Sequence, residues 1–147
     1  MLLIKNGRVV DPVSGVDKVM DVLVDGGRIA AVGDKAAALL DEKDRTAQII
    51  DASGLVVAPG LVDTHVHFRD PGFTYKEDIM TGAAAAARGG FTTVVCMANT
   101  KPPVDNVDTL EYVLKKGAQT GIHVLSAATV SKGLAGKELV DMEALAE

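Results

Sequence analysis

The chain has 147 residues, 48% of them hydrophobic and 24% charged, with a net charge of −5; this is the profile of an ordinary globular protein with room for one modest core. The acidic balance, the 3% aromatic content and the lack of Trp argue against a nucleic-acid binder, since no basic run or stacking patch offsets them. The single cysteine, Cys96, excludes an internal disulfide and fits a reducing compartment. Lys5 interrupts the first apolar run too early for a signal peptide, and no stretch approaches the ~20 apolar residues of a membrane span, so the expected location is cytoplasmic, with no membrane partner.

Residues 1–58 read as a β-rich lead-in. LLIKNGRVVD carries the turn dipeptide Asn6-Gly7 between two β-rich runs; DVLVDGGRIAAVG repeats the device at Asp25-Gly26-Gly27, and AQIIDASGLVVAPG does so again around Ser53-Gly54. Between them DKAAALLDEKDR, residues 34–45, reads as a short surface helix.

From Pro59 onward strand and helix alternate. LVDTHVHF reads as a strand. Thr74 sits three residues before Glu77, the spacing of a capping box, and predicts a helix through the alanines 83–87 to Gly89-Gly90. FTTVVCMAN is nearly all apolar, as in a strand buried on both faces of a parallel sheet, and Pro102-Pro103 stops it. Asp105 is placed to cap a second helix, with Val107, Leu110, Val113, Leu114 and Ala118 as its apolar stripe and Gly121 as its end. IHVLSAATV is a third strand, and GKELVDMEALAE begins a third helix. Residues 59–147 therefore read as three βα units of a parallel α/β fold.

Two of the three histidines lie one residue apart in the first of these strands. Alternation along a strand puts Asp63, His65, His67 and Arg69 on one face and Val62, Val66 and Phe68 on the other. A row of four polar residues suits the mouth of a barrel better than a core. Histidines at i and i+2 are about 6.6 Å apart along a strand, so both imidazoles can lean onto one Zn²⁺, with Asp63 behind them as acceptor for an imidazole N–H. A bare H-x-H is read equally well as two hydrogen-bonded structural histidines.

The flanking residues go further. GLVDTHVHFRDPG (60–72), YKED (75–78) and MANTKPPVDN (97–106) resemble the amidohydrolase superfamily and, within it, the dihydroorotases, whose signature is H-x-H-[FL]-R-x-P-G. IKNGRVVDP and IDASGLVVAPG are similar to the β-sandwich lead-in of the same group. The resemblance implies the N-terminal part of a (βα)₈ metal-dependent hydrolase barrel after a small β-sandwich segment, with domains at 1–58 and 59–147. It implies that His65 and His67 bind Zn²⁺, one or two ions per complete site, and that His67, Arg69 and Asn99 bind substrate. The implied reaction is the reversible cyclisation of N-carbamoyl-L-aspartate to dihydroorotate in pyrimidine biosynthesis. A guanidinium suits a planar carboxylate, and Asn99 ends a strand on the rim where barrel enzymes place their chemistry. On its residues alone, Asn99 reads as a turn residue before Thr100-Lys101-Pro102.

A barrel of this kind takes about 250 residues. The resemblance accordingly implies that the bridging carboxylate, two further histidines and the aspartate acid/base lie beyond Glu147, so the stretch holds no catalytic acid/base and is expected to be inactive alone. A homodimer and aspartate transcarbamoylase are the candidate protein partners. Elsewhere, His123 reads as structural at the opposite rim and Cys96 as a small core residue. Lys132 is not the bridging group, which the resemblance puts on a fourth strand. Asp70 and Lys76-Glu77 fix the loop and the helix start. The rival readings are an allantoinase- or hydantoinase-type cyclic amidohydrolase, a non-catalytic scaffold, and a stand-alone metal-binding module. Arg69 and Asn99 disfavour the first, because a hydantoin has no free carboxylate for them to hold.

Overall fold

The structure, a computed structural model, describes residues 1–43 and 47–146. The chain divides into two compact units, Met1–Pro59 and Gly60–Glu147.

The first unit is a five-stranded sheet, β1 (Leu2–Asp11), β2 (Val16–Asp25), β3 (Arg28–Val32), β4 (Gln48–Asp51) and β5 (Val56–Val57), in the order β3-β2-β1-β4 with β5 also on β1. The hairpin at Asp25-Gly26-Gly27 forms as expected: Asp25 pairs with Arg28, and both central glycines take the positive φ that a tight two-residue turn demands. Asn6-Gly7 is not a turn. β1 runs straight through it, and the pair forms a bulge in the β1–β2 register with Asn6 at φ 61°. Gly7 is required there because a Cβ would lie 2.5 Å from Val57 Cγ2. Ser53-Gly54 makes no hairpin either. β4 and β5 both run parallel to β1, against Leu2–Lys5 and Arg8–Val9, so the turn is a jog between two collinear strands. Helix α1 (Asp34–Lys43) packs Ala36 and Leu40 onto Leu3 and Leu23; the expected end of this helix, Asp44-Arg45, lies outside the described residues.

The second unit is a three-stranded parallel sheet, β6 (Leu61–Val66), β7 (Phe91–Cys96) and β8 (His123–Ser126), in that order, joined by helices α2 (Ile79–Arg88) and α3 (Val107–Gly117). A 3₁₀ turn at Lys132–Leu134 and a bridge from Ser131 to Leu139 precede the short α4 (Met142–Ala146), so the expected third helix is not helical over residues 136–141, and its final Glu147 lies outside the described residues. The core comprises Phe68, Ile79, Ala83, Val94, Cys96, Ala98, Val104, Val113 and Val124. Along β7 and its extension the even positions 94, 96 and 98 are buried in this core, and the odd positions are left for the opposite face.

Both helices start later than their sequence signals suggest. Thr74 does not cap α2. Asp78 does, its carboxylate accepting from the backbone N–H groups of Met80 and Thr81, and Glu77 accepts from the Thr81 hydroxyl instead. Asn106, not Asp105, caps α3 by accepting from the Thr109 N–H; Asp105 is used to hold the Gly133 N–H. The buried stripe of α3 is Thr109, Val113 and Gly117, with Leu110 partly packed, whereas Val107 and Leu114 are exposed. Glycine sets the spacing here, because a Cβ on Gly117 would lie 2.7 Å from Val124 Cβ. Among the described residues no helix is long and apolar enough to cross a membrane.

Gly82 plays the same part in α2, where a Cβ would stand 2.4 Å from the buried Phe68 ring. Gly82→Ala gains about 0.5–1 kcal/mol of helix propensity. It forces Phe68 to move, at a cost of about 1–3 kcal/mol typical of overpacking. The expected outcome is a net loss, read as a lowered thermal midpoint; an unchanged or raised midpoint would show that α2 can retreat from the strand.

Candidate active site

Alternation and register bring the two histidines together. Val66 and Phe68 pack into the helix-side core, so His65 and His67 fall on the other face of the sheet. Their rings stand edge to face with centroids 5.2 Å apart. Both line one pocket with Met97, Ala98 and Asn99 from the end of β7 and Ala127–Val130 from the end of β8. All three strands contribute their carboxyl ends, the rim on which parallel α/β enzymes carry their chemistry. His123 begins β8, paired with Thr93, and so lies at the opposite end.

His67 Nδ1 lies 2.9 Å from Asn99 Oδ1. An amide oxygen can only accept, so the neutral tautomer that matches this contact has its proton on Nδ1 and leaves on Nε2 the lone pair that a metal would take. Asn99 therefore does for His67 what the sequence reading assigned to Asp63. The Asp63 carboxylate is turned to the backbone, accepting from the His65 N–H at 3.0 Å, beside an irregularity in the β6–β7 register between Asp63 and Val66. That bulge redirects the carboxylate to a local amide, where strict alternation would have left it facing the rings.

Parity also fails to reach Arg69. β6 ends at Val66, and Arg69 has φ 62°, a left-handed conformation uncommon for a non-glycine residue, so the strand's alternation says nothing about its direction. Arg69 does not line the pocket that His65, His67 and Asn99 share. It belongs to a loop bound to the loop after β7. The Lys101 N–H donates to Pro71 O at 3.0 Å, the Phe73 N–H donates to Arg69 O at 2.9 Å, and Gly72 leaves no room for a side chain against the Lys101 carbonyl.

The residue after Arg69 is the least exposed charged group described. The Asp70 side chain is wholly buried, receiving Tyr112 Oη at 2.9 Å, Lys116 Nζ at 2.5 Å and, more loosely, the Ile79 N–H at 3.4 Å. The sequence reading gave Asp70 the task of fixing the loop, and these contacts fit it. The partners were not foreseen; their only trace is that Tyr112 and Lys116 sit i, i+4 on one face of α3. The hydrogen bond to Asp70 raises the Lys116 ammonium above its usual 10.5, outweighing burial, while burial and then Asp70 raise the Tyr112 phenol above its usual 10.0. Burial pushes the Cys96 thiol up to about 11, so it remains a neutral core group.

Two imidazoles on one pocket, one with its tautomer set, suit a divalent transition metal such as zinc as part of the three or four protein ligands it takes. Among the described residues no third His, Cys, Asp or Glu joins them.

A parallel βα layer with a histidine pair at the carboxyl ends of its strands defines an amidohydrolase-type α/β protein, and the solved structures it resembles are of that class. The chain aligns with an L-hydantoinase (dihydropyrimidinase) from Arthrobacter aurescens at TM-score 0.69 and 30% identity, covering 88% of this chain and 28% of that one. A D-hydantoinase (dihydropyrimidinase) from Thermus sp. aligns at TM-score 0.67 and 31% identity, covering 89% and 28%. The dihydro-orotase-like family matches over residues 54–147, and the chain belongs to that family. Among curated relatives, it is 61% identical over 145 residues to a dihydroorotase of Clostridioides difficile (strain 630), covering 99% of this chain and 33% of the relative. It is 56% identical over 147 residues to a dihydroorotase of Streptococcus thermophilus (strain CNRZ 1066), again covering 33% of the relative. The chain thus spans about a third of the length of these relatives.

The Asp70 cluster makes an alkaline prediction. Lys116 and Tyr112 both have folded values raised above their usual ones, so the stability they contribute is complete below those usual values of 10.5 and 10.0 and is lost as pH rises through the folded values. Urea midpoints measured at about pH 8 and about pH 11 should fall further for the parent than for a Tyr112→Phe/Lys116→Met double variant. Equal falls would mean that the cluster does not link to folding.

Proposed function

We propose that this chain supplies the histidine pair and part of the substrate clamp of a zinc-dependent dihydroorotase, which interconverts N-carbamoyl-L-aspartate and dihydroorotate in pyrimidine biosynthesis. The observation that carries the reading is the convergence of His65, His67 and Asn99 on one pocket, in a chain 51–61% identical to proteins named dihydroorotase.

Both substrates keep one carboxylate that takes no part in ring closure. Arg69, in the loop directly after the histidines, is the cation suited to hold it as a planar fork. Asn99 has given its Oδ1 to His67, which leaves the Nδ2 amide to donate to the same carboxylate. One residue thereby ties the metal-facing imidazole to the substrate. A zinc bound through His65 and His67 with further ligands would polarise the ring-amide carbonyl and lower the pKa of a bound water. The hydantoinase alternative rests on structural neighbours at 30–31% identity and gives Arg69 no task.

The test is Arg69→Met in the full-length enzyme. Zinc content should stay near that of the parent while kcat/KM on dihydroorotate falls by about 10-fold to 100-fold, since charge-assisted hydrogen bonds contribute about 1.5–3 kcal/mol each. Arg69→Lys should recover little, because an ammonium cannot present the planar fork. In a parallel measurement His65→Ala and His67→Ala should each lose zinc. Unchanged rates for Arg69→Met at equal zinc content would remove the reason to prefer dihydroorotase over its relatives.

A further inference from the structure

We infer that Asp70 is a positioning residue for Arg69, acting through a buried clasp that binds the loop after β6 to helix α3. The inference rests on the reading of Arg69 as the carboxylate clamp and adds the device that aims it. Arg69 holds a backbone conformation that non-glycine residues seldom adopt, at φ 62°, and such conformations persist only where the surroundings over-determine them. The surroundings are specific here. One residue on, the Asp70 carboxylate is withdrawn from solvent and takes hydrogen bonds from Tyr112 Oη and Lys116 Nζ, 42 and 46 residues further along the chain. Two residues further, Gly72 is pressed on the Lys101 carbonyl, and the Pro71 carbonyl takes the Lys101 N–H, two residues after Asn99.

The loop is thus fixed at two points, by α3 from below and by the Asn99 loop from the side. A carboxylate that served stability alone could be held by its own helix or turn, as Asp78 is by the amides of Met80 and Thr81. Asp70 instead spans from the residue beside Arg69 to a helix face, so its hydrogen bonds to Tyr112 and Lys116 oppose a change of the backbone beside Arg69. Neither Tyr112 nor Lys116 lines the histidine pocket, and the group they hold, Asp70, is the residue next to Arg69.

The experiment is a double-mutant cycle in the full-length enzyme, with KM and kcat for dihydroorotate and zinc content measured for Asp70→Asn, Tyr112→Phe, Lys116→Met, Arg69→Met and Asp70→Asn/Arg69→Met. Tyr112→Phe and Lys116→Met should raise KM by about 3-fold to 30-fold, the range of coupling seen between residues of one network, with kcat within about twofold and zinc unchanged. Asp70→Asn should raise KM in the Arg69 background and add nothing once Arg69 is methionine. An additive double variant would overturn the proposal, since Asp70 would then act by another route. The proposal also fails if Tyr112→Phe and Lys116→Met both leave KM unchanged while Arg69→Met raises it; the carboxylate-clamp reading would survive that result. An Arg69→Met enzyme with unchanged KM and kcat would overturn the clamp reading and this inference together. If Asp70→Asn does not fold, the Tyr112→Phe and Lys116→Met variants, each combined with Arg69→Met, decide the same question.

Discussion

The second unit depends on a buried carboxylate. An ionised group withdrawn from water is costly unless its oxygens are met by donors, and Asp70 meets a phenol and an ammonium at short range. Those donors come from the second helix of the unit, while Asp70 itself stands four residues after the end of the first strand. The contact is therefore a long-range tie, and it closes where β6 gives way to the loop that holds Arg69. Were these polar partners replaced by apolar residues, the unit could still pack, but the loop would keep only its tie to Lys101 to specify which way it leaves the strand.

Close packing supplies the second constraint. Phe68 lies against Gly82 of α2, and Val124 of β8 lies against Gly117 of α3, each at a separation that a Cβ would violate. Under these helices β6, β7 and β8 pair in parallel, so their carboxyl ends form one continuous rim. The histidine pair, Asn99 and the residues after β8 reach the same pocket for that reason. Alanines 83 and 86 in α2 serve the same approach, one buried and the other partly so.

The sequence made legible part of what depends on period or on local turn chemistry. Alternation put His65 and His67 on one face of β6, the apolar run FTTVVCMAN announced β7, and the two glycines of the β2–β3 turn announced a hairpin, while Asn6-Gly7 and Ser53-Gly54 announced turns that do not form hairpins. Local signals misled where two residues could do the same work. Thr74 and Asp78 both offer an oxygen to a helix start, as do Asp105 and Asn106, and tertiary contacts decided between them: Asp105 is recruited by Gly133, which leaves Asn106 to cap. Alternation also fails at irregularities. The β6 bulge turned Asp63 to the backbone, and the end of the strand at Val66 put Arg69 beyond the reach of any parity argument. The Asp70 clasp was invisible as a contact, because no periodicity links residue 70 to residues 112 and 116.

The division that results is a physical one. His65 and His67 ride on a strand and its immediate extension, where the ladder to β7 continues as the Met97 N–H donates to Val66 O at 2.8 Å. Their separation is set by backbone pleat and changes only if the sheet changes. Arg69 rides on a loop, and its placement is set by side chains on α3 and by the neighbouring loop. The histidine pair and Arg69 are therefore anchored to different parts of the unit, and Asn99 is the residue that joins them, bound to an imidazole on one side and attached through Lys101 to the Arg69 loop on the other. A fold arranged in this way can change its Arg69 loop while leaving the histidine pair as it is, because substitutions in the clasp need not disturb the ladder that spaces the rings.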